Sequence, residues 1–218
     1  MHGIRISFLV TGAQGCGKSC LLQRYMDDTF DDEYNTTEWM DSHQKTVMIN
    51  GRDIALVLTD TDGQKKYEGY SINYYAHQDV VLIVYDVSDP TSLTCIKDIC
   101  RTIERRTRGE NRAVVALVGS KTDLQSKINL EDVRNFAEHN ELLYFETCAK
   151  TGGNVTEMFT SLIEKLCKKK CDMDLETDKG DSMDSTVPTE SGRRYSSISI
   201  PAVKETSKEN NSCSCSIS

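Results

Sequence analysis

No apolar run in the 218-residue sequence approaches the roughly 18 residues that a membrane-spanning helix needs. The segment Met1 to Val10 lacks the layout of a secretory leader and reads instead as a first strand. Positive charge is in short supply: 26 Lys and Arg stand against 34 Asp and Glu, a formal net charge of −8. Binding nucleic acid by neutralising phosphates needs the opposite balance, so nucleic acid is not an expected partner. No internal repeat is visible. Cysteine, by contrast, is plentiful. The nine are an odd number, and Cys20, Cys100 and Cys148 fall inside helix- or strand-like segments. That pattern implies free thiols in a reducing compartment rather than a disulfide framework. The length favours one α/β domain with a tail, and about 165 residues suffice to bury a core without staples.

Along the chain, strand-like and helix-like segments alternate. Ile4 to Val10 is an apolar run that ends at a glycine, as buried parallel strands do. Lys18 to about Met26 has helical spacing. Lys45 to Ile49 and Ile54 to Leu58 flank Asn50-Gly51, a strong hairpin signal. Val80 to Tyr85, Ala113 to Val118 and Leu143 to Thr147 read as further strands. Helices are expected over Thr91 to Arg106, with Ser92 or a neighbour capping, over Leu130 to His139, and over Val155 to about Lys168. The alternation predicts a mostly parallel sheet covered on both faces, with the hairpin adding one antiparallel edge strand. From Asp172 to Ser218 the chain is rich in Ser, Thr, Asp and Glu, a composition that predicts disorder.

The loop Gly12-Ala13-Gln14-Gly15-Cys16-Gly17-Lys18-Ser19 matches G-x-x-x-x-G-K-[ST], between a strand and a helix as that motif requires. Glycines let backbone N–H groups curl around an anion, and the helix N-terminus adds a positive dipole. Lys18 supplies a point charge for β- and γ-phosphates, and the Ser19 hydroxyl can ligate Mg²⁺. This motif alone leaves GTPase, ATPase and small-molecule kinase open. A kinase needs a lid of arginines and an acceptor pocket, and neither is found.

Further boxes carry a resemblance. Gly12 to Leu22, with Cys20 inside it, resembles the phosphate-loop segment of Rab proteins, and Asp28 to Phe30 follows as it does there. Asp60-Thr61-Asp62-Gly63-Gln64 is similar to the D-T-A-G-Q box of Ras-like GTPases, Ser120-Lys121-Thr122-Asp123 to N-K-x-D, and Glu146-Thr147-Cys148-Ala149-Lys150 to E-T-S-A-K. Tyr74-Tyr75 and Val84-Tyr85-Asp86-Val87 also fall where Rabs carry such residues. The likeness spans about Ile4 to Lys170, in order and with matching spacing. It implies a phosphate-loop G domain with a six-stranded, mostly parallel sheet over residues 1–171, and a hypervariable tail over 172–218. It implies GTP and GDP with Mg²⁺ as ligands. Gln64 is then the catalytic residue that orients water, and Ser19, Thr37 and Asp60 hold the metal. Gly63 donates to the γ-phosphate. Asp123, whose carboxylate matches the paired N–H donors of guanine, reads the base. Lys121 lies along the base, Phe30 covers its edge, Ala149 meets its carbonyl oxygen, Cys148 beside it belongs to the same nucleotide-binding set, and Lys150 supports that loop. Loss of the γ-phosphate releases the loops at Thr37 and Gly63, an order–disorder switch.

The sequence departs from these patterns at four places. Asp62 replaces alanine and brings negative charge toward the γ-phosphate. Gln14 is bulkier than the usual Gly or Ser and crowds the catalytic glutamine. Ser120 is too short to bridge base and phosphate loop as Asn does. The effector segment reads Thr37-Glu38-Trp39-Met40-Asp41-Ser42 where Rabs have T-I-G-V-D-F; Ser42 and Thr59 stand for two of the family's three effector aromatics, and only Tyr74 remains. Trp39, the sole tryptophan, is a candidate hot spot for a partner unlike those of mainstream Rabs.

At the C-terminus, Cys215-Ser216-Ile217-Ser218 fits a prenylation box, and Cys213 makes a C-x-C pair with Cys215. Two lipids hold where one holds weakly. Residues 172–218 contain nine acidic and five basic side chains, a net −4 that an anionic leaflet repels, so tethering falls to lipid. The expected protein is a monomeric GTP-binding switch with slow hydrolysis. It acts in vesicle traffic on the cytosolic face of a membrane, with effectors, exchange factors and activating proteins as partners. A pseudo-GTPase that holds nucleotide without cycling, and a Ras-type signalling GTPase, are the alternatives.

Overall fold

The computed structural model describes residues 4–32, 40–63, 75, 77–106 and 113–177, with side chains undescribed at 105, 106 and 171–177. Six strands carry the architecture: β1 (Ile4–Gly12), β2 (Asp41–Ile49), β3 (Arg52–Asp60), β4 (Val80–Asp86), β5 (Val114–Ser120) and β6 (Leu143–Glu146). The helices are α1 (Lys18–Asp27), α2 (Ile96–Arg106), α3 (Leu130–His139) and α4 (Val155–Thr177). The sheet order is β2-β3-β1-β4-β5-β6. Only β2 and β3 pair antiparallel. Their turn follows the sequence signal: Asn50 and Gly51 both take positive φ, 51° and 74°, as a two-residue hairpin requires.

Alternation along the inner strands explains both layers. Phe8 and Val10, Leu82 and Val84, Ala116 and Val118 face α1 and α4. Leu9, Val81 and Ile83, Val115 and Leu117 face α2 and α3. A strand buried on both faces therefore reads as one apolar run rather than as alternation with polar residues. Phe159 of α4 anchors the first layer, stacked on Tyr25 at 3.9 Å between centroids and tilted against Phe8 at 5.4 Å. On the other face, the Tyr85 hydroxyl meets that of Tyr144 at 3.1 Å, and burial pushes its ionisation well above the ordinary tyrosine range.

Two expectations need correction. The stretch from Thr91 is not one helix. A 3₁₀ turn, Pro90–Leu93, precedes α2, and the cap is Asp89, whose carboxylate accepts from the Thr91 N–H at 2.9 Å. Ser92 is buried instead, with its Oγ accepting from the Asp86 N–H at 3.0 Å. Second, α4 runs to Thr177, so residues 172–177, assigned to the tail by composition, are helical. Met, Leu and Glu are good helix formers, and extending an existing helix needs no new nucleation. At that end Lys170 Nζ reaches Asp79 at 2.9 Å and the Arg5 carbonyl at 2.7 Å, at the N-terminal ends of β4 and β1.

Candidate nucleotide-binding site

The strand order reverses direction around β1, with β3 on one side and β4 on the other. Crevices at the C-terminal ends of such strands are the binding places of open α/β sheets. Here β1, β3, β5 and β6 end at Gly12, Asp60, Ser120 and Glu146, and residues that follow each of them line a cleft of about 510 Å³. That size suits a nucleotide.

At one end of the cleft lies the phosphate loop. Gly17 caps α1 in the left-handed region, φ 90°, which lets the loop curl into the helix without strain. Lys18 is 6% exposed, and its ammonium donates to the carbonyls of Gly12 (3.2 Å) and Ala13 (2.9 Å). Both acceptors are neutral, so the buried charge lacks a full counter-charge from them. Cys16, expected as part of the loop, contributes backbone; its thiol is buried in the core, which pushes it up to about 11. Cys20 and Gln14 line the cleft. Gly63 lies against the loop so closely that a Cβ there would stand 2.5 Å from the Gln14 backbone and 2.7 Å from Lys18 Nζ. Asp62 lines the same corner.

Asp60 fits a divalent cation. It is 4% exposed, and its Oδ1 is buried without a hydrogen-bond partner among the described residues. Its Oδ2 accepts from the Ser19 hydroxyl. Burial pushes its carboxyl up, against the opposing pull of the Ser19 bond and of the Lys18 charge. A hard cation would relieve that desolvated charge and use the unsatisfied oxygen. Ser19 and Asp60 would hold Mg²⁺, which neutralises phosphate charge when bound.

The base end assembles from β5 and β6. Asp123 lines the cleft, and its Oδ1 accepts from the Cys148 thiol at 3.1 Å. Lys121 takes φ 58°, and its ammonium bridges Gly15 O (2.8 Å) and Asp86 (2.7 Å), tying the base loop to the phosphate loop. Burial raises the Asp86 carboxyl, but bonds from Lys121 and Ser88 outweigh it and hold it below the ordinary range. Ser120, expected to be too short to bridge base and phosphate loop, does reach the second of these. Its hydroxyl reaches the Cys16 carbonyl at 2.5 Å and the Tyr85 carbonyl at 2.9 Å, so it does join the phosphate loop to β4. A single hydroxyl hydrogen serves those carbonyls, and none is left for the base, where an Asn amide has two. Lys150 pairs with Asp32 at 3.2 Å and lies 6.0 Å over the Phe30 ring, closing the mouth of the cleft beside Ala149.

A thiol donates more weakly than a hydroxyl. Cys148→Ser is therefore expected to hold Asp123 more firmly and to tighten GDP binding about two- to five-fold in calorimetry. Equal or weaker binding would show that the thiol contact does not orient the carboxylate.

The Ras family model matches residues 7–168. The chain belongs to the Ras family. It is 33% identical over 195 residues to the Ras-related protein SEC4 of Saccharomyces cerevisiae, covering 89% of each chain. It is 33% identical over 199 residues to the Ras-related protein Rab-1D of Dictyostelium discoideum, covering 89% of this chain and 96% of that one. With the GTP-binding protein YPT1 of S. cerevisiae the identity is 33% over 160 residues, 72% of this chain and 77% of the other. Ras-family proteins are GTPases that bind guanine nucleotide with Mg²⁺ and work with regulators and effectors, and the six-stranded sheet is their G-domain fold.

Of the site residues expected from sequence, the cleft is lined by Gln14 to Cys20 except Cys16, by Phe30 and Gly63, and by Ser120, Lys121, Asp123, Ala149 and Lys150, while Gly12, Cys16, Asp60 and Cys148 stand behind it, each bonded to a lining residue. Thr37, Trp39, Gln64, Tyr74, Cys213 and Cys215 lie outside the described residues. Ser42 and Thr59 pair directly across β2 and β3, the first exposed and the second buried. No helix among the described residues is long and apolar enough to cross a membrane. Arg24 and Asp32 were missed. Each acts through a loop distant in sequence, and only the fold joins them.

Proposed function

We propose that this Ras-family protein is a Rab-type switch. It binds GTP with Mg²⁺, hydrolyses it slowly through Gln64, and recruits effectors in vesicle traffic. Its nucleotide domain spans residues 1–171, and prenyl groups on Cys213 and Cys215 hold the tail over 172–218 to the cytosolic face of a membrane. The observation that carries the reading is a cleft with a buried lysine and an unsatisfied buried carboxylate oxygen at one end and a held acceptor carboxylate at the other. Mass spectrometry of protein purified from its own cells tests it, since bound nucleotide and lipid are read together. Adenine nucleotide in the cleft, or unmodified cysteines, would remove the corresponding part.

Slow hydrolysis follows from the corner where Asp62 and Gln14 crowd the γ-phosphate position. Two unit charges ~6 Å apart at an effective dielectric of ~20 repel by about 3 kcal/mol. Screening in an open cleft lowers this. Asp62→Ala is accordingly expected to raise GTP affinity relative to GDP about ten- to hundred-fold in competition titration. Single-turnover hydrolysis should quicken when Gln14→Gly is added. A wild-type rate at or above ordinary Ras-like rates sinks the idea. The same corner favours a second reading, a nucleotide-holding module that does not cycle. Absence of turnover even with the double variant would favour it.

A further inference from the structure

Arg24 is a polar position on α1, yet its side chain is only 15% exposed. Its guanidinium is spent mostly on carbonyl oxygens. Nε donates to Ala149 O at 2.7 Å, and Nη2 to Lys150 O at 3.0 Å. Nη1 donates to Asp28 O at 2.7 Å and to Asp28 Oδ1 at 3.0 Å. Asp28 is itself the left-handed C-cap of α1, and its N–H returns to the Arg24 carbonyl at 3.0 Å. One planar fork thus joins a helix end to two consecutive peptide groups more than a hundred residues away. Across the same loop, a Cβ on Gly152 would stand 3.8 Å from Arg24 Cδ, ordinary packing distance.

Those two peptide groups belong to the loop that lines the base end of the cleft. In a trans peptide the N–H points opposite to the C=O. Holding the Ala149 carbonyl on Arg24 therefore turns the Lys150 N–H away from Arg24. Holding the Lys150 carbonyl fixes the next plane. Arg24 thus sets the direction of the Lys150 N–H, while the Thr151 N–H that follows turns to Cys148 Sγ at 3.4 Å. Asp123 is held separately, by Cys148. The two halves of base reading thus have different immediate partners.

We propose that Arg24 is a positioning residue for recognition of the purine 6-oxo group. It fixes the plane of the Ala149–Lys150 peptide, and with it the Lys150 N–H, without touching the nucleotide. This rests on the guanine-nucleotide reading above. A lysine keeps the charge and the stem, but its ammonium is a point donor and lacks the fixed spacing of Nε and Nη2 that sets the two peptide planes.

Three diphosphates separate this role from general support. GDP and 6-thio-GDP differ only at the atom the backbone donors address. GDP and IDP differ only in the 2-amino group that Asp123 addresses. Dissociation constants are measured for wild type, Arg24→Ala and Arg24→Lys. Wild type is expected to prefer GDP over 6-thio-GDP about ten-fold, the worth of one hydrogen bond in a closed site. Both variants are expected to compress that preference to about two-fold while leaving the GDP-to-IDP ratio within about two-fold of wild type. Proportional loss of both preferences means Arg24 merely supports the pocket, and overturns the proposal. So does retention of the GDP preference over 6-thio-GDP in Arg24→Lys, the variant least liable to misfold. ADP is titrated against wild type as a control; if it binds as well as GDP, the guanine reading itself falls.

Discussion

Asp123→Asn is expected to lower GDP affinity by about 10²- to 10⁴-fold and to make xanthosine diphosphate the better ligand. A carboxylate accepts two N–H bonds from guanine, and each bond to a charged partner is worth about 1.5–3 kcal/mol. An amide offers one acceptor and one donor group, so one of those contacts becomes donor against donor. Xanthine carries a carbonyl where guanine carries its amino group, and the amide suits it. Competition titration of the two diphosphates against a fluorescent nucleotide reads both changes. An unchanged preference would mean that Asp123 does not face the base. The Cys148 contact at 3.1 Å sharpens the expectation, because a carboxylate held in place gives a steeper loss than one that swings.

Lys18→Met should produce two changes of opposite sign. Nucleotide affinity falls about 10²- to 10⁴-fold, the loss expected when one partner of a buried charge pair is removed. The nucleotide-free protein, in contrast, unfolds at an equal or higher temperature than wild type. The reason lies in what surrounds the ammonium when no phosphate is bound. It is 6% exposed and donates to two neutral carbonyls, so its desolvation is only partly offset. Calorimetric scans of both proteins without nucleotide, beside a binding titration, test the pair. A clear fall in the unfolding temperature of the empty variant would show that Lys18 is a structural prop rather than a group kept under tension for its ligand.

Legibility in the sequence followed locality. Leu130 to His139 was bounded correctly because Asn129, apolar spacing and the last-turn histidine all lie within one segment. The Asn50-Gly51 hairpin was equally local. The phosphate loop and the base boxes were legible because contiguous residues carry their chemistry. Contacts that depend on distant strands becoming neighbours were not. Ser120 was judged by its length alone, yet β5 delivers it to the Cys16 carbonyl. The cap at Asp89 was overlooked because Ser92 offered itself as a cap and was drawn inward to Asp86. Arg24 left no signal: an arginine on an exposed-looking helix position is ordinary until the fold brings Ala149 beneath it.

The bond from Lys170 to Asp79 and Arg5 fastens the last helix to the strand ends farthest from the cleft. Whatever follows Thr177 therefore departs from the pole opposite the nucleotide. From Thr177 to Cys213 the backbone can stretch to at most about 130 Å. An attachment made through that leash would start away from the cleft mouth and leave it uncovered, so nucleotide could be loaded or discharged without the molecule letting go of its support.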